Sequence, residues 1–324
     1  MKKKILSLLL AGVMMFSMTA CGGEADADAD TGYTVGVCQL VQHPALDKAT
    51  DGFKAALEEK LGDEVTIDVQ YANGDSNTCS TITTTFVANE YDLILGNATA
   101  ALQAAVSATA EIPILGTSIT DYATALGMDE WTGVSGKNVS GTTDLAPLDE
   151  QAKCIQELFP DAKNIGILFC SAEPNSQYQS DVIRGYLADM GYTCTEYKFS
   201  DTNDVAQITQ SACDGSDVIY IPTDNSAADC TEAINNVALT AGVPIFAGEE
   251  GICSGCGVAT LSIDYYEIGY IAGEMAYDIL VNGADPAKME VKSAPEVTKK
   301  YNVTNATELE VPIPDSYTAI ETEE

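Results

Sequence analysis

The chain carries one histidine, His43, and one arginine, Arg184, against 49 acidic residues. A single histidine argues against His-rich metal sites and leaves one candidate base for any Ser-His-Asp or Cys-His arrangement. Gly-x-Ser-x-Gly is absent. Cys38 and Cys170, in the apolar runs GVCQL and ILFCS, are the remaining candidate nucleophiles for a hydrolase or racemase. A thiolate needs an electropositive setting, and this chain is short of cations. Nine cysteines lie beyond Cys21, an odd number, and most sit in apolar contexts that suit buried thiols. Cys253 and Cys256 form the closest pair, a local disulfide or half a zinc site, but no second C-x-x-C completes the latter. The expectation is free thiols, no metal, no cofactor and no catalysis. With one arginine, any anionic ligand group must rest on backbone N–H groups, hydroxyls or lysine.

The elements that would position such groups are written twice. YTVGVCQLV (33–41) is an apolar run followed by Pro44 and the amphipathic stretch ALDKATDGFKAALEEKL. NIGILF (164–169) begins the same way and is followed by Glu173-Pro174-Asn175-Ser176 and YQSDVIRGYLADMG. Second strands (65–72 and 192–199), third strands (from Asp92 and from Asp217) and fourth strands (from Pro113 and from Pro244) recur roughly 130 residues apart. Strands alternating with helices give right-handed βαβ units and a parallel sheet, and near-continuous apolar strands are buried on both faces. The fold class is therefore α/β, two similar doubly wound lobes joined by a multi-strand hinge. DYYEIGYIAGEMAYDILVNG (264–283) has helical spacing, with Ile268, Ile271, Met275 and Ile279 on one side, and is expected to pack back on the first lobe. The expected boundaries are 1–20 signal, 21–32 tether, 33–143 plus 265–288 first lobe, 144–264 plus 289–317 second lobe, and 318–324 tail.

Ligands of doubly wound sheets bind at the C-terminal ends of the strands. In the first lobe that rule selects Gln39, His43, Asn97, Thr99, Ser118 and Thr120. In the second it selects Glu173, Asn175, Ser176, Thr223, Asp224, Asn225 and Glu249, with Asp264 at the start of the long helix. The set is rich in hydroxyls, amides and carboxylates, which suits a neutral or zwitterionic ligand. Thr99 and Ser176 open helices, where they either receive a ligand carboxylate or act as plain caps. Asp224 either faces a ligand ammonium or caps the helix from Ser226. Gln39 is expected to hydrogen-bond ligand, whereas His43 is either a ligand contact or a loop residue bonded to backbone. Tyr122, Trp131 and Tyr265 are candidate aromatic walls, and each could equally belong to core or surface.

The first residues give an address. Three lysines, an apolar run from Ile5 to Phe16 and small residues before Cys21 form a secretory signal, too short to span a bilayer. Met18-Thr19-Ala20-Cys21 resembles a bacterial lipobox, with Met18 where Leu is usual, so Cys21 is expected to carry lipid. GGEADADAD (22–30) reads as a solvated tether. A formal charge of −34 repels nucleic acid and anionic lipid head groups, which excludes both as partners.

GVCQLVQHPALDKATDGFKAAL, SAEPNSQ, YIPTDNSAA, PIFAGEEG and the DYYEIGYIAGEMA helix resemble the substrate-binding lipoproteins of ABC importers, of the tryptophan/tyrosine type. The resemblance covers nearly the whole chain after Cys21. It implies a type I periplasmic-binding-protein fold and capture of a small ligand, an aromatic amino acid, for a membrane permease. It also implies a monomer anchored at the outer face of the cell membrane. Branched-chain amino acids, nucleosides or sugars as ligands, and a sensor as partner, fit the same fold.

Overall fold

In the computed structural model, residues 32–321 are described, so the signal, Cys21 and nearly all of the tether lie outside the described residues. The first lobe runs β1 (Tyr33–Gln39), α1 (Pro44–Leu61), β2 (Val65–Tyr71), α2 (Ser76–Ala88), β3 (Leu93–Asn97), α3 (Thr99–Ala108), β4 (Ile114–Ile119), α4 (Tyr122–Leu126) and β5 (Val139–Thr143). The second runs α5 (Leu148–Leu158), β6 (Asn164–Cys170), α6 (Pro174–Asp189), β7 (Thr193–Phe199), α7 (Val205–Gly215), β8 (Val218–Ile221), α8 (Asn225–Asp229), α9 (Thr231–Ala241), β9 (Ile245–Ala247), α10 (Glu250–Cys256) and β10 (Ala259–Ile263). There follow α11 (Tyr265–Leu280), β11 (Lys292–Ser293), β12 (Val297–Tyr301), α12 (Val303–Glu308) and β13 (Thr318–Ala319).

The first sheet has the order β11-β5-β4-β3-β1-β2, and the second β13-β12-β10-β9-β8-β6-β7. All pairings are parallel except β10 with β12. Both lobes thus repeat the order second-first-third-fourth-fifth, and each switches direction beside its first strand. That switch point is where a doubly wound sheet opens a crevice at its carboxyl edge. Buried side chains such as Val35, Val37, Leu93 and Leu95 in one lobe, and Ile165, Ile167, Val218 and Tyr220 in the other, fill the faces under the helices.

Helix α11 packs along α1, and glycines set how close they come. A Cβ on Gly269 would collide with the carbonyl oxygen of Ala49, and one on Gly52 with that of Tyr266. The amphipathic faces of both helices, including Phe53, Leu57, Met275 and Ile279, meet over the first sheet. The chain crosses between lobes after β5, after β10 and after β11. Two boundaries differ from the sequence expectation. Residues 292–293 pair with Thr142 and Thr143 in the first sheet, and 318–319 pair with Lys300 and Tyr301 in the second. Both are two-residue strands too short to show a period, and apolar neighbours on either side (Val291 and Ala294, Tyr317 and Ile320) pack into the cores beside them.

Candidate ligand-binding site

The strand ends of the two lobes meet at a small closed cavity. It is lined by His43, Leu46, Ser118, Thr120 and Asp144, then Asn175, Thr223, Asp224, Asn225, Ala228 and Glu249, with Tyr265 at the hinge. The enclosed space is about 10 Å³, room for about one water. No lysine or arginine lines it.

The second lobe supplies the charge. Asp224 is buried at the start of α8, accepting from Ala227 N–H with one oxygen and, at 2.7 Å, from Cys170 N–H with the other. It is therefore a helix cap, as one of its two readings held, and it lines the cavity as well. Burial first, then the nearby Glu173 charge, pushes its pKa up to about 8, against those two N–H groups. Glu249 caps α10 through Gly251 and Ile252 N–H, and burial raises it to about 7. Asp144, directly after β5, accepts from Thr120 Oγ1 at 3.0 Å and Tyr265 Oη at 2.9 Å, and burial raises it to about 6. A shell of amides holds these loops. Gln179 Oε1 receives Thr223 N–H, and Gln151 Nε2 donates to the carbonyls of Gly248 and Leu261.

The first lobe supplies neutral groups on a strained edge. Asn73, Ala98 and Ser118 have positive φ of 52°, 87° and 56°, and all three lie at carboxyl ends of its strands. Ser118 Oγ is buried without a hydrogen-bond partner. His43 bridges the lobes, its Nε2 lying 3.2 Å from Asn225 Oδ1. Asn225 in turn donates from Nδ2 to Glu173 Oε2 at 2.7 Å.

Of the residues selected from sequence, eight come together: His43, Ser118, Thr120, Asn175, Thr223, Asp224, Asn225 and Glu249. The others stand elsewhere. Gln39 is wholly buried and saturated, donating to Val41 O and Asp47 Oδ1 and accepting from Thr50 Oγ1, so the expected ligand bond is replaced by a core network. Asn97 joins that network through Leu46 O and Thr50 Oγ1. Thr99 is the first residue of α3, the cap being Ala98, and it does not reach the cavity. Ser176 sits in the third position of α6, not at its opening, with Oγ turned to Thr223 O. Glu173 positions α8 by accepting from Asn225 and Ser226. Asp264 is an exposed cap of α11 and lines an adjoining groove beside the hinge, which shares Ala228, Glu249 and Tyr265 with the cavity. Among the aromatic candidates Tyr265 lines the cavity, whereas Tyr122 is a core residue stacked on Trp131 at 5.8 Å. Asp144 and Leu46 were not selected. An acid placed immediately after an apolar strand was the available signal for Asp144.

Among the described residues all nine cysteines are unpaired, and no group of His, Cys, Asp and Glu is placed to hold a metal. Burial pushes the Cys170 thiol up, and Cys38 is buried against Cys79 and away from the cavity.

Two doubly wound lobes closed on a polar crevice define a substrate-binding protein of the type I periplasmic-binding class. The chain belongs to the ABC transporter substrate binding protein family, whose model matches residues 34–323. It is 39% identical over 291 residues to a tyrosine-binding protein of Clostridioides difficile, covering 86% of this chain and 84% of that one. It is similar to the ABC domain in complex with L-Trp from Streptococcus pneumoniae (TM-score 0.84, 31% identity, 88% and 97% of the two chains). It is also similar to the ligand-free, open structure of CD0873, a substrate-binding protein with adhesive properties from Clostridium difficile (TM-score 0.69, 33% identity, 90% and 100%). These relatives are binding proteins, not enzymes. Substrate-binding proteins of ABC importers work outside the cytoplasm, and no helix among the described residues is long and apolar enough to cross a membrane.

Proposed function

We propose that this chain captures a zwitterionic aromatic amino acid, of the tyrosine or tryptophan type, between its lobes and presents it to an ABC permease. The observation that carries this reading is the polarity of the cavity. Acids from the second lobe and the hinge face hydroxyls from the first, with no fixed cation between them. A ligand ammonium lies toward Asp224 and Glu249, and a ligand carboxylate toward Ser118, whose hydroxyl has no partner in the protein. Burying a carboxylate without a counter-charge is costly, so the ammonium stabilises the closed form in a way a neutral sugar cannot. The ligands named for two relatives, tyrosine and L-Trp, support the same class.

Capture proceeds by hinge closure. An aromatic amino acid is larger than about 10 Å³, so it enters when the lobes part around the three crossings, and they come together again around it. The cross-lobe contacts, and the higher similarity to the L-Trp complex than to the open relative, support assigning the present arrangement to the closed side of that motion. The protein works as a monomer tethered through lipidated Cys21, a reading supported by the lipobox-like segment.

Calorimetric titration with the twenty amino acids, several sugars and nucleosides tests the ligand. Tyr, Trp or Phe is expected to bind at micromolar concentration or below. Tight binding of another class with no aromatic binder would overturn the ligand and leave the fold intact. Mass spectrometry of the N-terminal peptide from cells tests the anchor, and an unmodified Cys21 removes it.

A further inference from the structure

His43 has a feature that closure alone does not account for. The ring is 8% exposed, and its Nδ1 is buried without a hydrogen-bond partner. Its other nitrogen is committed. Asn225 Nδ2 is held by Glu173, which turns Asn225 Oδ1 toward His43 and makes Nε2 the donor. The neutral ring is therefore the Nε2–H tautomer, and Nδ1 presents a lone pair. Burial holds the pKa below its ordinary value, although the Asn225 bond, Glu173, Asp47 and Asp229 pull upward. The acceptor form thus prevails at neutral pH.

A buried acceptor with no donor is costly to leave unmade. In the proposed binding mode the charged ends of an amino acid already have partners in the carboxylates and hydroxyls around the cavity. What is left to meet Nδ1 is the ligand's side chain. We infer that His43 selects the ligand by its side chain, Nδ1 accepting a hydrogen bond from a phenolic O–H or an indole N–H, so that tyrosine and tryptophan are favoured over phenylalanine. This rests on the amino-acid reading above. A site built to bond a ligand hydroxyl rejects the analogue that lacks it, because the buried partner is left bare.

The test is titration of the full-length protein with Tyr, Trp and Phe at pH 7.5. The wild type is expected to bind Tyr and Trp at least about tenfold more tightly than Phe. His43→Ala should weaken Tyr and Trp by about tenfold and Phe by less than about threefold, erasing the preference. A wild type that binds Phe as tightly as Tyr overturns the inference, and needs no variant. Equal losses for all three ligands in His43→Ala also overturn it, assigning Nδ1 to the shared part of the ligand. If none of the three binds, the amino-acid reading fails and takes this inference with it.

Discussion

The residue before the helix that follows each lobe's first strand stands in the same place: His43 before Pro44 and Glu173 before Pro174. Neither side chain caps its own helix, and the two are joined across the crevice through Asn225. The same contrast recurs at the third strands, where Ala98 caps α3 and Asp224 caps α8. The two lobes share a topology and differ in what they bring to the ligand. The first offers neutral groups on a strained backbone, and the second offers buried acids on relaxed helix caps. Duplication supplies the frame, and divergence at cap positions supplies a crevice with a direction.

The largest effect should come from breaking the close glycine packing of α11 on α1 in the first lobe. Gly269→Ala drives a methyl into the Ala49 carbonyl and should cost about 3 kcal/mol, read by urea unfolding. A midpoint close to wild type would mean that α1 and α11 can separate freely.

On the acidic side, Asp224→Ala removes both a cap and the proposed ammonium partner. Affinity should fall by more than tenfold, with about 1 kcal/mol of stability lost with the cap. Asp224→Asn should weaken binding similarly and also lower the melting temperature, because its amide NH2 would face one of the two N–H donors that the carboxylate now accepts. A melting change without an affinity change would reduce Asp224 to a cap.

The asymmetry also has a pH signature. Asp144, Glu249 and Asp224 have pKa values raised to about 6, 7 and 8 by burial in the closed form, so that form binds more protons than a solvated one. Their contribution to closed-state stability is complete below about pH 4 and is lost as pH rises through 6 to 8. The melting-temperature gain from a ligand ammonium should therefore grow between pH 5 and pH 8, measured by scanning fluorimetry. A flat gain would mean that the acids are not facing the ligand.

The smallest effect tests the strained edge. Ala98 has φ 87° and ψ 157°, a conformation nearly reserved for glycine. Ala98→Gly should stabilise the protein by about 1 kcal/mol, and no cap position facing the crevice from the second lobe offers an equivalent gain. Loss of stability would show that the packing of its methyl outweighs the strain.

Much of this was legible in the chain. The paired prolines at 44 and 174, the repeated apolar strands and the helix from 265 follow from local patterning, and they led to two doubly wound lobes and to the correct strand edges. Eight of the residues taken from those edges do meet. Gln39 and Asn97 misled because their position is right and their direction is inward. A polar side chain at a strand end reads the same whether it faces ligand or closes a core network with Thr50. Asp144 was missed although it follows β5 as Asp264 follows β10, because the repeat is legible in the sequence only as far as the fourth strands.

The sequence by itself determined the class of molecule: apolar period, proline and capping residues dictate βαβ units, and the scarcity of histidine, arginine and paired cysteine motifs argues against His-rich metal sites and nucleophilic chemistry. Only the tertiary structure decided which polar groups are left without partners. Whether an amide, an imidazole or a carboxylate is satisfied depends on atoms brought from distant segments. Asn225 meets His43 across 182 positions, and Tyr265 meets Asp144 across 121.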